Sequence, residues 1–376
     1  MSLARTPMHQ FHADNKAHMG EYAGWDMPLY YSSPLAEHKQ VRTSGGLFDV
    51  SHMGRVKITG KHARKFLEIL CSRRISDMQN GQCRYSLVCN EQGGVKDDVI
   101  VYRNDDDDYL IVVNAANRAK LLKHFDDVIR ARELTVKIDD ITENTVMVAV
   151  QGPKVMDVVG KVSKEIPTLK KYRFAIKNLM IAKVIVSRTG YTGEDGFEAI
   201  LPASLFALAK SMILQDIDVS KPDAVIKPIG LVARDTLRTE AAMPLYGHEL
   251  GEDINALSCG VDFAISLDKH TQERGERFIG QDVLEQTKAN GGPARKLVGM
   301  FVEGKRTARQ GNTILIGGKS VGIITSACPS PTLDRCIAMG FVDAAFTATG
   351  TAVEIDTGRG MLNATTTTMP FYKLAK

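Results

Sequence analysis

Three groups of residues have the types and spacing to do chemistry. The first is the acidic pair Asp97-Asp98, which opens a strand-like run (DDVIVY) directly after the turn residues Glu91 to Gly94. Side chains alternate across a strand, so only one of the two acids can serve a given site. Asp98 falls in register with Ile100 and Tyr102, and Asp97 with Val99 and Val101. A turn-flanking acidic pair is more often solvated than functional. Here, however, the neighbouring strand-like runs carry Tyr85 and Asn114, which could meet Asp98 on one sheet face. The second group is the loop Arg188-Thr-Gly-Tyr-Thr-Gly-Glu-Asp-Gly196, whose glycines recur every third residue. Such a loop lets backbone come close to a ligand, or simply closes a hairpin. Glu198 follows it on a strand whose other face is Phe197, Ala199 and Leu201, so it should project away from the core, into solvent or a cleft. The third is Arg234 and Arg238, one helical turn apart. They could clamp a carboxylate-bearing ligand, or pair within the helix with Asp235 or Glu240.

Other candidates carry less. Asp49 and His52 share the stretch LFDVSHMG, where a local hydrogen bond is the ordinary reading. The six cysteines, Cys71, Cys83, Cys89, Cys259, Cys328 and Cys336, form no C-x-x-C pair and have no histidine pair at zinc spacing beside them. They are expected to be buried and reduced, and a metal enzyme is disfavoured. Ile316-Gly-Gly-Lys-Ser320 resembles the end of a phosphate loop, but Thr313 stands where a glycine is required. An alternating strand follows instead of a helix, so the segment reads as a hairpin turn. With no G-x-G-x-x-G after a strand and no G-x-S-x-G, dinucleotide enzymes and serine hydrolases lose ground.

The elements that must position these residues alternate between strand-like and helix-like periods. Arg55 to Thr59 reads as a strand, and Ala63, Phe66, Leu67 and Leu70 recur at helical spacing. CRYSLVC, DVIVYR and YLIVVN follow, joined by NEQGG and by the acidic tip Asp105 to Asp108. These connections are too short for parallel crossovers, so the run is an antiparallel meander. A long helix with the stripe Leu121, Leu122, Phe125 and Ile129 comes next. TVMVAV and AKVIVS frame a helical middle, and FEAIL follows the glycine loop. Helices are expected near Ala203 to Gln215 and Pro228 to Ala242. Asn290-Gly-Gly-Pro293 marks the domain boundary, giving regions 1–290 and 291–376. Beyond it, five short strands (KLVGMFVE, NTILI, SVGIITS, CIAMGFV, TAVEID) suggest a small barrel or sandwich. The fold class is α+β, with antiparallel-sheet units and helices followed by a β domain.

The 376 residues, 44% hydrophobic and 24% charged, describe an ordinary globular chain of two or three packed units. A net charge of +4 is too mild to argue for nucleic acid, though it suits an acidic ligand or partner. No apolar run approaches the ~20 residues of a membrane span. The opening MSLARTPMHQ has no apolar signal core, so a cytoplasmic enzyme is expected, or a mitochondrial-matrix one in a eukaryote.

In this order, several stretches resemble the glycine cleavage system T-protein family of tetrahydrofolate-dependent aminomethyltransferases. They are AGWDMPLYY (from Ala23), GLFDVSHMG (from Gly46), CNEQGGVKDDVIVY (from Cys89), VVNAANR (from Val112), VSRTGYTGEDGFE (from Val186), GLVARDTLRTEA (from Gly230) and LYGHEL (from Leu245). FIGQDVL, TSACPSPTL and MPFYK extend the likeness towards the end of the chain. The resemblance implies a cloverleaf that holds folate, with a C-terminal β-barrel. It also implies a lipoylated H-protein as donor of the aminomethyl group and tetrahydrofolate as acceptor, with no metal. By that resemblance Asp98 is the catalytic carboxylate, Glu198 binds the pterin, Arg234 is a ligand-binding arginine, and Asn114, Tyr85 and Tyr191 line the folate pocket. Where the family usually reads close to E-x-G-L-S-W, this chain reads Ser258-Cys-Gly-Val-Asp-Phe263. Folate-dependent demethylases and non-catalytic folate-binding proteins of the same fold are the alternatives. The K-G-C-Y signature of the iron–sulfur-assembly branch is absent.

Overall fold

The computed structural model describes residues 2–179, 182–206, 221 and 223–374. It divides into two compact units, each assembled from separate stretches of chain. The first comprises Met1–Ala63, Met78–Arg84 and Ile100–Asp235, and the second Arg64–Asp77, Tyr85–Val99 and Thr236–Lys376.

In the first unit a six-stranded sheet runs in the order Phe174–Leu179, Ala182–Ser187, Gly196–Pro202, Thr145–Gln151, Gly45–Asp49, Ile226–Pro228. Its pairs are antiparallel except the last, where Ile226–Pro228 lies parallel to Gly45–Asp49. Val146, Val150, Val186, Ala199 and Leu201 gather with Phe11 and Val155 into one core. A smaller sheet packs Trp25–Tyr30 between Ala4–Arg5 and His18–Tyr22. The predicted meander is present as the strands Gln82–Cys89, Val95–Asp105 and Asp108–Val113, extended by Gly54–Thr59 and Lys137–Asp140. Within Gln82–Cys89 and Val95–Asp105 the chain passes from one unit to the other.

The helix Ala63–Leu70 buries Ala63, Phe66, Leu67 and Leu70 completely, as its spacing predicts. The helix Arg118–Ala131 buries Leu121, Phe125 and Val128. Its stripe therefore turns slightly from the predicted one, with Val128 inward in place of Ile129, as a 3.6-residue period starting at Leu121 requires. The helix expected near Pro228 to Ala242 is Leu231–Glu240. Of the one expected near Ala203 to Gln215, only a 3-10 turn at Ala203–Leu205 is described; most of the span lies outside the described residues.

The second unit ends in a closed barrel of six strands, not five: Arg295–Val302, Arg335–Asp343, Lys319–Ser330, Thr313–Ile316, Ala352–Asp356 and Met361–Thr367. The strand missed in the sequence, MLNATTT, points Leu362, Ala364 and Thr366 inward, and with one large apolar residue among them it gives a weak hydrophobic signal. Its pairing with both Arg295–Val302 and Ala352–Asp356 closes the sheet, leaving no open edge. The glycine pair Gly317-Gly318 is the predicted hairpin turn, both residues at positive φ between Thr313–Ile316 and Lys319–Ser330. None of the six cysteines is in a disulfide, and all are buried. No helix among the described residues is long and apolar enough to cross a membrane.

Candidate functional site

In the second unit, Asp97 and Asp98 sit side by side on Val95–Asp105 with opposite fates. Asp97 is 0% exposed, with Val95 and Val99 buried on the same side, whereas Asp98 lies on the partly exposed side. The Tyr85 hydroxyl donates to Asp98 Oδ2 at 3.1 Å, so the expected meeting of these two side chains is present. Phe263 stands beside them. Its ring centre is 5.8 Å from that of Tyr85, and the Arg73 guanidinium lies 5.8 Å over it. At 59% exposure, Phe263 is the most exposed of the large apolar side chains among the described residues. The departure from the family pattern thus falls on a ring neighbouring the tyrosine that holds Asp98.

In the first unit, Glu198 is only 6% exposed. Of the two expected surroundings, solvent or a cleft, solvent is excluded by this burial. Its strand is interior to the six-stranded sheet, between Ala182–Ser187 and Thr145–Gln151, and every residue from Gly196 to Leu201 is buried. Thr189 Oγ1 donates to Glu198 Oε2 at 2.5 Å. Burial pushes the Glu198 carboxyl above the ordinary carboxylate value, while the Thr189 hydrogen bond and the nearby charge of Arg234 pull it back. The Arg234 guanidinium lies 4.7 Å over the ring of Tyr191 and 5.8 Å over that of Phe48. Arg234 Nη1 is buried without a hydrogen-bond partner. A flat cation lying over two rings, with an unsatisfied N–H, suits an incoming acceptor group.

Arg238, one turn further on, does not join it. Its side chain is 1% exposed, pairs with Glu249 at 2.9 Å and donates to Ser326 Oγ at 2.7 Å. The idea of a two-arginine clamp is therefore corrected, because Arg238 is already committed to buried structural partners. Asn114 lies in the first unit, just past the strand Asp108–Val113, at the start of the 3-10 turn Ala115–Asn117.

The glycine loop is a built hairpin. A side chain on Gly190 would strike the Gln151 amide, and one on Gly196 would strike the Val150 carbonyl. Arg188 spans the loop's base, donating to the carbonyls of Pro167, Leu169 and Gly196 and pairing with Asp195. Arg42 pairs with Glu194 at 2.9 Å and donates to the Thr192 carbonyl. The glycines thus serve close packing of protein on protein, which fixes where Tyr191 and Glu198 stand.

Asp49 makes the local hydrogen bond expected of this stretch, though to Ser51, and adds distant partners to it. Asp49 Oδ1 accepts from the Ser51 backbone, while Oδ2 accepts from Thr6 and meets His12 Nε2 at 2.8 Å. Burial alone would raise the Asp49 carboxyl. The bonds and charge from His12, with those from Ser51 and Thr6, hold it below the ordinary value. His52 Nδ1 is buried without a partner, and burial, aided by Arg234 and Arg55 against Asp49, pushes its pKa down to about 4. Arg55, fully buried below this turn, donates to the carbonyls of Ser51, Met53, Thr142 and Thr145 and so fixes its course. Sequence reasoning missed Thr6, His12 and Arg55 because their partners lie up to about ninety positions away. It also missed Ser187 and Thr189, although their alternation before the loop hints at a shared face.

Comparison with known proteins gives this geometry a family. Residues 8–269 match the GCVT N-terminal domain, and residues 295–373 match the glycine cleavage T-protein C-terminal barrel domain. An aminomethyltransferase of Oceanobacillus iheyensis is 38% identical over 374 residues, covering 98% of both chains. One of Rubrobacter xylanophilus is 42% identical over 343 residues, covering 91% of this chain and 87% of that one. The crystal structure of the glycine cleavage system aminomethyltransferase T of Bartonella henselae superposes with a TM-score of 0.89 at 28% identity, over 99% of each chain. Sequence and fold agree, and the chain belongs to the glycine cleavage T-protein family.

Proposed function

We propose that the protein transfers the aminomethyl carbon from a lipoylated H-protein to tetrahydrofolate, giving 5,10-methylene-tetrahydrofolate, ammonia and the dihydrolipoyl carrier. The match of both family domains, over almost the whole chain, supports this reading. Departure of the lipoyl sulfur as thiolate leaves an iminium-like carbon. N5 of tetrahydrofolate attacks that carbon, and ring closure through N10 expels ammonia.

Asp98 is the catalytic carboxylate in this reading. Its partly exposed position and its hydrogen bond from Tyr85 suit a group that stabilises a developing cation and orients the folate nitrogens. Glu198 binds the pterin. A buried carboxylate with one oxygen already held by Thr189 can take parallel hydrogen bonds from the amino group and ring N–H of that edge. Arg234, with its buried Nη1 lacking a partner, suits the carboxylates of the folate tail, and Tyr191 supports its guanidinium. Tyr85 and Asn114 complete the folate-lining set. Tetrahydrofolate enters as co-substrate and no metal takes part. The functional division runs as 1–290 for the folate-binding region and 291–376 for the barrel, and the setting is cytoplasmic, or the mitochondrial matrix in a eukaryote.

The test is production of methylene-tetrahydrofolate and ammonia from tetrahydrofolate and aminomethyl-loaded H-protein. Equal yields of both support the assignment. Absence of product with a competent carrier, together with turnover of a small N-methylated donor, would move it to a folate-dependent demethylase.

A further inference from the structure

Glu198 ends a chain of buried hydroxyls. Tyr102 Oη lies 3.1 Å from Ser187 Oγ, Ser187 Oγ lies 2.7 Å from Thr189 Oγ1, and Thr189 Oγ1 donates to Glu198 Oε2 at 2.5 Å. All four side chains are buried and all four belong to the first unit. The fold explains the alignment. Ser187 and Glu198 are direct partners across their hairpin, and Thr189 returns to the Ser187 face two residues later.

Elementary donor counting fixes the direction of every proton. An ionised carboxylate only accepts, so the single Thr189 hydrogen is committed to Glu198. For the 2.7 Å contact to be a hydrogen bond, Ser187 donates to Thr189 in preference to the Glu198 backbone carbonyl, its longer alternative at 3.5 Å, and Tyr102 then donates to Ser187. Such a chain is polarised from the phenol towards the anion, each link strengthening the next. The other groups felt at this end are Arg234, whose charge favours the anion, and the thiol of Cys83. Burial first, and then the Glu198 charge, pushes Cys83 well above the ordinary thiol value, so it stays neutral there.

We propose that Tyr102, Ser187 and Thr189 are positioning residues that hold Glu198 as a fixed anion, and thereby set how tightly tetrahydrofolate is bound and not how fast the carbon is transferred. The inference rests on the reading of Glu198 as the pterin-binding group. Nothing in the transfer step itself requires these hydroxyls.

The experiment uses the full-length protein and three variants, Thr189→Val, Thr189→Ser and Tyr102→Phe. The Glu198 carboxyl is titrated by difference infrared spectroscopy without folate, with Glu198→Gln identifying its band. In parallel, KM for tetrahydrofolate and kcat are measured across pH. Thr189→Val is expected to move the Glu198 titration upward and raise KM about tenfold, the loss of one hydrogen bond to a charge, with kcat within about twofold. Thr189→Ser restores both. Tyr102→Phe, two links away, shifts both in the same direction by a smaller factor of about two. An unchanged Glu198 titration in Thr189→Val overturns the proposal whatever folate does, as does a fall in kcat at constant KM. If Thr189→Val does not fold, Tyr102→Phe decides, and an unshifted titration there overturns it. Normal folate binding by Glu198→Gln would instead sink the pterin assignment while leaving the titration result standing.

Discussion

Asp98 and Glu198 are both carboxylates on strands, yet their surroundings differ in kind. Asp98 is partly exposed, is touched by the Tyr85 hydroxyl, and has the open ring of Phe263 beyond that tyrosine. Glu198 is enclosed, with a line of three hydroxyls behind it and Arg234 within electrostatic reach. The difference teaches which task each position suits. A group that follows a reaction must tolerate changing charge, and water or substrate beside it provides that tolerance. A group that recognises a rigid edge gains from a fixed direction, and burial with fixed donors provides that.

The largest effect should come from Asp98→Asn. Turnover with loaded H-protein is expected to fall by on the order of a thousandfold, while tetrahydrofolate affinity stays within a few-fold. If activity survived, Asp98 would lose its role and the comparison would break. Its neighbour sharpens the point. Asp97 is fully buried, so Asp97→Asn should cost stability, read as a lower thermal midpoint, and leave kcat per folded molecule nearly intact.

That these two acids face opposite sides was legible from alternation alone, and so were the meander, the glycine hairpin and the barrel's first five strands; that Asp98 is the one to serve a site came from the family resemblance. What alternation could not give was depth. The strand with Glu198 reads as half-buried because Phe197, Ala199 and Leu201 alternate with it, yet a strand interior to a sheet can be covered on both faces. The role of Arg238 was hidden for a related reason, since its partners Glu249 and Ser326 lie 11 and 88 positions away. Helical spacing brought Arg234 and Arg238 to one face, but only tertiary contacts separate a stacked arginine from an ion-paired one.

The enclosed region extends past Arg234 to His52, and there pH is the probe. The folded-state pKa of His52 is depressed to about 4 against an unperturbed 6.5. The folded protein therefore binds fewer protons than the unfolded chain between those values, and this histidine's contribution is lost as pH falls from about 6.5 towards 4. It is worth on the order of 3 kcal/mol. Urea unfolding across that range should show the slope, and His52→Gln should flatten it. A wild-type slope in the variant would mean that His52 is charged in the folded protein.

Glu198→Gln should weaken tetrahydrofolate binding by about 10- to 100-fold. It should not destabilise the fold at neutral pH. A carboxyl whose folded pKa is raised contributes stability below its unfolded pKa, and that contribution is lost as pH rises through the folded value. Removing the charge should therefore leave the neutral-pH thermal midpoint unchanged or higher. A clear drop would mean that the anion is structurally required. The smallest effect is expected at Phe263. Phe263→Trp should shift KM for tetrahydrofolate or carrier by no more than a few-fold, because this exposed ring stands beside Tyr85 and an indole keeps that ring contact.

The division of each unit into separate stretches has a consequence for how the chain is made. The segment bearing Asp98 belongs with residues well over a hundred positions later in the chain: Gly94 bridges Asn255, and the Val95 amide donates to the Gly251 carbonyl. On a ribosome adding about 5–20 residues per second, that segment must wait roughly ten to thirty seconds for its partners to emerge. Throughout that interval, Val95 and Val99, buried in the finished protein, have no completed core to enter. A nascent chain stalled before residue 250 would therefore carry the family's DD motif in an unfinished segment, open to proteases and chaperones. Protection of this segment from limited proteolysis should arrive late in synthesis, once the LYGHEL segment and the residues beyond it have emerged.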